Sequence, residues 1–442
     1  MNRPGIYRNI VLLMFLVYTA VQVYSINKLS VNYDEGSFLH YGFTLLKGQQ
    51  QKDILLFESK LPITALNVLP RAVEQILHPG LEKNAEESVR DIINGRYVSL
   101  FVSILLGLLI LKWSTELYGG KTSLFTLLLY LLCPNFLAHG IFVSSDIFAC
   151  FFLTLSFYFL WKFHSKQELR FFVLMSVATG LAQISKFSMF HLFLIIPILS
   201  LIIYFCKKKT TETTKKYSWL KTVGYAGLFL FINWLIISAA HLFYQPFLPI
   251  KDYTFMSGPF KEFQHFISSF ASSLPVPLPS SYVSSMDAVM YFDQIGGGVK
   301  GSLNGEPYIL GQTSVNGFWY YYFVVLFFKL PVTILLLWIG TMLLFLRKFN
   351  KQSLFTNEIF ILLPAVYYLC YMNFFYSTQL GIRHIMIIFP LLYIFSGKLI
   401  TALLSSNKRF ILYGLLAIKL FLYSVIFLIF FLTQMNLSAI KN

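Results

Sequence analysis

The chain has 442 residues, of which 57% are hydrophobic, 18% aromatic and only 12% charged. Soluble globular proteins carry about 25% charged residues, so this composition excludes an ordinary soluble enzyme and a disordered scaffold. The formal net charge of +16 does not indicate a nucleic-acid partner, because the distribution of the basic residues explains it. Repeated apolar runs indicate instead a polytopic membrane protein.

Eleven segments are predicted to cross the membrane. They are approximately residues 9–27, 97–113, 122–138, 147–163, 171–186, 188–206, 222–243, 318–346, 358–375, 385–403 and 410–432. The first lacks a small-residue cleavage site and is interpreted as an uncleaved helix. Span 318–346 is too long for one straight crossing, so Pro331 is expected to separate an interfacial helix over 318–329 from the crossing. The predicted fold class is an all-α polytopic membrane protein with two long external loops that carry short interfacial helices.

The basic residues lie mainly in the loops on one side of these spans. Residues 3–8, 112–121, 162–170, 207–221, 347–358 and 398–409 hold 19 of the 35 basic and 4 of the 19 acidic residues. Loops 28–96 and 244–316 hold 11 basic and 14 acidic residues. Lys and Arg concentrate in cytoplasmic loops, so these two long loops are predicted to be external.

The first acidic motif is NYDEGSFLHYG, residues 32–42, just past the end of the first predicted helix. A half-buried carboxylate at the membrane boundary is costly to charge, and its raised proton affinity would suit a general base. Acidic residues also stabilise a helix N-terminus, so Asp34 and Glu35 fit a structural interpretation about equally well.

The second acidic motif is CPNFLAHGIFVSSD, residues 133–146, in a short external turn. Asp146 opens the following helix, where it could act as a cap, and it is expected at the same depth as Asp34. Two carboxylates facing one cavity could be a base with a supporting acid, or ligands of a hard divalent ion. His139 could join such an ion, although a lone polar turn histidine is the simpler interpretation.

Basic side chains are predicted at the external ends of helices: Arg96, Lys186, and Arg383 with His384. Cations at this depth are costly and usually paired or functional. A phosphate group at the outer leaflet would explain them, since guanidinium binds phosphate in a bidentate manner. Snorkelling towards lipid headgroups is the alternative for each one singly. Lys329 could equally anchor the interfacial helix.

Further motifs follow in a specific order along the chain. They are GRYVSLF (95–101), SKFS (185–188), YILGQTSVNGFWYYYFVVLFFKLP (308–331) and GIRHIMIIFP (381–390). Together with the acidic motifs, they resemble the GT-C superfamily of integral-membrane glycosyltransferases. The resemblance is nearest to the branch that contains protein O-mannosyltransferases and the aminoarabinose transferases of lipid A. It covers residues 28–390 and implies one membrane domain over 1–442.

The resemblance implies inverting transfer of a sugar from a polyprenyl-phosphate-linked donor, on the external face. The acceptor would be a hydroxyl group of a lipid, a glycan or a protein. Asp34 then matches the catalytic acidic position, beside Glu35, and Asp146 matches the second acidic position. Arg96, Lys186 and Arg383, with His384, become candidate contacts of the donor phosphate.

No cofactor is assigned, apart from the divalent ion that Asp34, Glu35 and Asp146 could bind. Simple loops favour a multi-pass protein of a bacterial inner membrane, with the site facing the periplasm and membrane lipids around it. Loop 28–96 carries the first acidic motif, and the Pro and Gly content of loop 244–316 suits a mobile substrate lid.

Two other functions stay open at the level of sequence. A membrane transporter or lipid flippase would usually show repeated halves and charges at mid-membrane depth, and neither is visible in this sequence. A ligase or polymerase that uses polyprenyl-diphosphate glycans would share the location and the cations. It would have to accept a larger donor.

Overall fold

The computed structural model describes residues 4–49, 53, 57, 59–78, 85–208, 219–295, 307–406, 408–418 and 421. The first half contains α1 (Pro4–Lys28), α2 (Tyr33–Leu46), α3 (Ala65–Leu77), α4 (Ala85–Tyr118), α5 (Gly120–Leu131), α6 (Pro134–His139), α7 (Asp146–Lys166), α8 (Leu169–Gln183), α9 (Leu192–Lys208) and α10 (Trp219–Ala240). The second half contains α11 (Gly258–Ala271), α12 (Ser280–Gln294), α13 (Tyr321–Lys329), α14 (Val332–Arg347), α15 (Lys351–Phe374), α16 (Phe389–Leu404) and α17 (Arg409–Ile418).

Four two-residue strands form two antiparallel pairs outside the helix bundle. They are β1 (Leu248–Pro249) with β2 (Pro275–Val276), and β3 (Tyr308–Ile309) with β4 (Gln312–Thr313). Short 3-10 turns stand at Pro62–Thr64, Phe187–His191, Ile250–Asp252, Ile382–His384 and Met386–Ile388. The first pair joins the segments that precede and follow α11, because Leu248 lies opposite Val276.

Seven helical segments are long and apolar enough to cross a membrane, among the residues that the structure describes. They are α1, α4 from Ser88, α7, Phe187–Cys206, α10, α15 and Met386–Leu404. The shorter apolar helices α8, α14 and α17 occupy three more of the predicted spans. The predicted fold class, an all-α polytopic membrane protein, is confirmed. Of the last predicted span, 410–432, residues 419–420 and 422–432 lie outside the described residues.

Two predicted boundaries differ from the structure. Helix α4 begins at Ala85, well before residue 97, because residues 85–96 are rich in good helix formers and continue the membrane helix outwards. The motif GRYVSLF therefore lies inside a helix. Predicted span 122–138 is broken: α5 ends at Leu131 and α6 begins at Pro134, which has no N–H to continue the helix.

Other predicted elements are confirmed. Pro331 separates α13 from α14, as the length of span 318–346 requires. Residues 35–47 and 66–77 have a helix-like pattern, which predicts two helices in the first long loop, and they appear as α2 and α3. The four cysteines Cys133, Cys150, Cys206 and Cys370, which lie in or beside the predicted apolar spans, are free.

Inside the bundle, polar side chains are paired between helices. The Tyr18 hydroxyl of α1 lies 2.7 Å from the Ser103 hydroxyl of α4, which is 2.6 Å from the Tyr130 hydroxyl of α5. Gln22 donates to Tyr18 from one turn further along α1. In hydrocarbon an unpaired polar group is costly, so this buried chain fixes how the three helices pack.

Candidate active site

A cavity of about 1090 Å³ lies between segment 250–293 and the membrane helices. Its wall is mostly apolar and includes Phe187, Phe190 and Leu194 on the membrane side, and Phe260 and Phe263 on α11. Phe190 and Leu194 are 42% and 51% exposed and lie on Phe187–Cys206, a segment long and apolar enough to cross a membrane. A potential membrane span therefore forms part of the apolar wall.

One end of the cavity is charged. Asp146, Lys186, Arg383 and His384 line it, which brings together four of the residues predicted from the sequence. These side chains come from the start of α7, the turn after α8 and the 3-10 turn before α16. Positive and negative groups therefore converge on one point of an otherwise apolar hollow.

Asp34 reaches the same end of the cavity through Arg383. The Arg383 Nη1 atom donates to the Asp34 Oδ2 atom over 2.6 Å, and both side chains are 30% exposed. The local fold aims Asp34 outwards from the N-terminus of α2, where Asn32 and Glu35 form a capping box. Asp34 is thus in direct contact with a residue that lines the cavity.

A second ion pair stands beside the first. The Lys186 Nζ atom lies 2.7 Å from the Asp146 Oδ1 atom, and Asp146 is the first residue of α7, as expected. Asp146 also interacts electrostatically with Arg383. Both aspartates therefore lie near the same guanidinium group.

Arg383 and His384, two other basic residues near Asp146, differ in protonation state. Burial opposes the charge of Arg383, but Asp146 and Asp34 more than offset it, so the pKa of Arg383 is raised. Burial, Lys186 and Arg383 lower the pKa of His384 well below its usual value. Arg383 is therefore a permanent cation, and His384 is neutral at pH 7.

Glu35 and Arg96 are paired with each other, away from the cavity lining. Arg96 Nε and Nη2 donate to the two Glu35 carboxylate oxygens over 2.8 and 2.6 Å, and each side chain is only 1% exposed. Glu35 also accepts the backbone N–H of Asn32 and of Val143. The structure thus separates the neighbouring acids: Asp34 contacts Arg383, which lines the cavity, and Glu35 holds the protein framework together.

His139 and Lys329 flank the charged end. Burial lowers the pKa of His139, and Arg383, Lys329 and Lys186 act in the same direction, while Asp146 opposes them. The carbonyl oxygen of Lys329 accepts a hydrogen bond from Asn135, which ties α13 to the turn that contains His139.

The divalent-ion alternative gains no support from this geometry. Within the described ranges, no three His, Cys, Asp or Glu side chains come together in a group that could hold a metal ion. Glu35 is engaged by Arg96, and Asp34 and Asp146 each face a cation. The charges of the three carboxylates are thus already balanced by basic side chains.

The sequence did not single out Asp293, Tyr371 or Tyr376, which also line the cavity. Asp293 lies near the end of α12 in the loop expected to form a lid. The only signal was its place in a long external loop, which does not distinguish it from the other acids there.

Comparisons with known proteins agree with this architecture. Residues 90–237 match the family model described as dolichyl-phosphate-mannose-protein mannosyltransferase. No curated protein sequence matches the chain. The similar solved structures include two of ArnT from Cupriavidus metallidurans, one bound to undecaprenyl phosphate and one in the apo state.

The similarity to ArnT extends over nearly the whole chain. The bound structure has a TM-score of 0.56 and 14% identity, with 94% of this chain and 63% of ArnT covered. For the apo structure the TM-score is 0.52 and the identity 14%, with 90% and 60% covered. The chain thus spans less than two thirds of the length of ArnT. The chain therefore shares the fold of these ArnT structures.

Proposed function

We propose that the protein is an inverting glycosyltransferase that moves a sugar from a polyprenyl-phosphate donor to a hydroxyl acceptor on the external face of the membrane. The observation that carries the proposal is the Asp34–Arg383 contact of 2.6 Å at the charged end of a large apolar cavity. A carboxylate beside a fixed cation supplies a base and a phosphate contact at one point. One ArnT structure binds undecaprenyl phosphate, which is the kind of lipid that such a donor releases when its sugar is transferred.

The cavity suits a donor with one charged part and one apolar part. Phe187, Phe190 and Leu194 would contact the prenyl chain, which could enter from the lipid where Phe190 and Leu194 are exposed. Arg383 and Lys186 would bind the phosphate. Guanidinium pairs with phosphate through two parallel N–H bonds, so an arriving phosphate would compete with Asp34 for Arg383.

When the phosphate binds Arg383, Asp34 loses this partner and is free to act as the base. Asp34 accepts the proton of the acceptor hydroxyl while that oxygen attacks the anomeric carbon from the face opposite the phosphate. The bond between the anomeric carbon and the phosphate oxygen breaks, and its electron pair leaves with the polyprenyl phosphate. Arg383 and Lys186 stabilise the departing phosphate charge, and Asp146 orients Lys186 through their 2.7 Å contact.

Asp34→Asn tests the proposal, with Asp252→Asn as the matched control because Asp252 is exposed and outside the cavity lining. Membranes with each variant receive undecaprenyl-phosphate sugars, and lipid, glycan and protein fractions are analysed by mass spectrometry. Wild type and control are expected to add one hexose or pentose mass to one fraction. Loss of general-base catalysis should reduce transfer in Asp34→Asn by about 10²–10⁴-fold.

Binding of undecaprenyl phosphate is expected to persist in Asp34→Asn, since Arg383 and Lys186 remain. Full transfer by this variant would discard Asp34 as the base. Transfer only from a diphosphate-linked oligosaccharide would favour the ligase. Uptake into vesicles without any covalent product would favour a transporter.

A further inference from the structure

Asp293 is a carboxylate in the cavity wall that the proposed reaction does not use. It lies near the end of α12 and lines the cavity together with Tyr371 and Tyr376. Among the described residues it forms no ion pair within 4.0 Å, whereas the other acidic lining residue, Asp146, is paired with Lys186. Burial raises the pKa of Asp293, and hydrogen bonds from Thr378 and Ser377 partly oppose this effect.

The known contacts of Asp293 do not require a carboxylate. Its Oδ1 atom accepts the backbone N–H groups of Ser377 and Thr378 over 2.8 and 2.7 Å. An asparagine would accept both bonds without the cost of burying a charge. An ionised carboxylate has about four acceptor sites, so capacity remains for hydroxyl groups of a bound molecule.

Asp293 interacts with Tyr376, whose ring also contacts the charged end of the cavity. The ring centroid of Tyr376 is 5.8 Å from that of His384, and Tyr376 interacts electrostatically with both Asp293 and Arg383. A pyranose ring is similar in size to a tyrosine ring and is bonded directly to the donor phosphate. A sugar whose phosphate is held by Arg383 therefore comes within reach of Asp293.

We propose that Asp293 binds hydroxyl groups of the donor sugar and so determines which sugar the protein accepts. This inference rests on the proposed function and adds the sugar-recognition residue. The tyrosines at this wall support it, because Tyr371 and Tyr376, with ring centroids 6.1 Å apart, present apolar ring surface with polar tips to the same space. The prenyl chain would occupy the apolar wall, leaving this polar patch to the sugar.

Asp293→Asn tests the inference, and Asp287→Asn is its matched control. Asp287 is on the same helix, is 1% exposed, does not line the cavity and accepts the backbone N–H groups of Met256 and Ser257. Both variants lose one charge. Asp293→Asn keeps the one oxygen that accepts from the backbone, whereas Asp287→Asn replaces one of its two accepting oxygens by an NH2 group. The control therefore sets an upper limit on the structural effect of the change.

The probes are undecaprenyl phosphate and the undecaprenyl-phosphate sugar that the wild type transfers to its acceptor. Replacing a charge-assisted hydrogen bond by a neutral one should weaken binding of the sugar-carrying probe to Asp293→Asn by about tenfold. Binding of undecaprenyl phosphate should stay within about twofold, which also shows that the variant is folded. In Asp287→Asn the ratio of the two affinities should equal that of the wild type.

An equal loss for both probes would overturn the inference and assign Asp293 to support of the 377–378 backbone. Unchanged affinity for both probes would overturn it as well. Failure of the proposed function would look different, because the wild type itself would then transfer no sugar from undecaprenyl phosphate.

Discussion

Arg96 uses all five of its N–H groups within the protein. Two bind Glu35, and the others bind the carbonyl oxygens of Ile26, Leu29 and Ser30 at and beyond the end of α1. No donor is left for a phosphate, so we propose a positioning role for Arg96 and Glu35 in place of direct contact with substrate. The pair joins α1, α2 and α4, and thereby sets the position of Asp34.

Breaking this pair is expected to lower the free energy of unfolding, because neither side chain is proposed to contact the substrate. Glu35→Gln leaves the buried guanidinium of Arg96 without its counter-charge, and such a loss typically lowers the free energy of unfolding by ~3–5 kcal/mol. The control Glu168→Gln breaks an exposed pair with Arg170, where less than about 1 kcal/mol is expected. Denaturation of both purified proteins in detergent measures the difference. Equal stabilities would remove the structural role of the pair.

At the scale of elements, α11 carries an apolar stripe that no described residue covers. Phe263, Phe266 and Phe270 are 56%, 65% and 67% exposed, and their spacing puts them on one side of the helix. Phe263 also lines the cavity. Since the helix stands beside the bundle outside the predicted spans, we expect the stripe to rest in the outer leaflet at the rim of the cavity.

A tryptophan in this stripe should report contact with lipid. Phe266→Trp is expected to give emission that brominated lipids quench more strongly than that of His265→Trp, which places the same reporter on the opposite, polar side of α11. The wild type has six tryptophans of its own, so its emission in the same vesicles is subtracted from that of each variant. Equal quenching at the two positions would place α11 away from the membrane surface.

Local sequence pattern predicted some elements and missed others. Helix-like patterns and the position of Pro331 anticipated α2, α3 and the division between α13 and α14, because these features depend on residues close in sequence. The start of α4 was missed, since a helix can continue past the membrane wherever its residues favour it. The break at Pro134 depends on a single proline, whose effect an apolar average conceals.

At the scale of the whole molecule, ligand binding should stabilise the assembled site. A molecule that binds only the folded protein adds about 2.7 kcal/mol when its concentration is one hundred times its Kd. Undecaprenyl phosphate is therefore expected to raise the Tm of the wild type. In Arg383→Ala the Kd should rise by about 10–100-fold, because charge-assisted hydrogen bonds are lost, and the shift should shrink at equal lipid concentration.

Arg347→Ala is the control for this measurement, since Arg347 ends α14 at the predicted cytoplasmic side. Its Tm shift with undecaprenyl phosphate should match that of the wild type. An undiminished shift in Arg383→Ala would place the phosphate elsewhere.

The sequence by itself determined the class of protein and the short motifs that carry charge, and it predicts the sidedness of the loops, because hydropathy and charge bias act locally along the chain. Only the tertiary structure decided which charges meet. Asp34 and Arg383 are 349 positions apart, and adjacent Asp34 and Glu35 take different partners. The inclusion of Asp293 in the cavity was likewise decided by packing of α12 against residues 377–378. Such pairings depend on how distant helices pack, which no local pattern encodes.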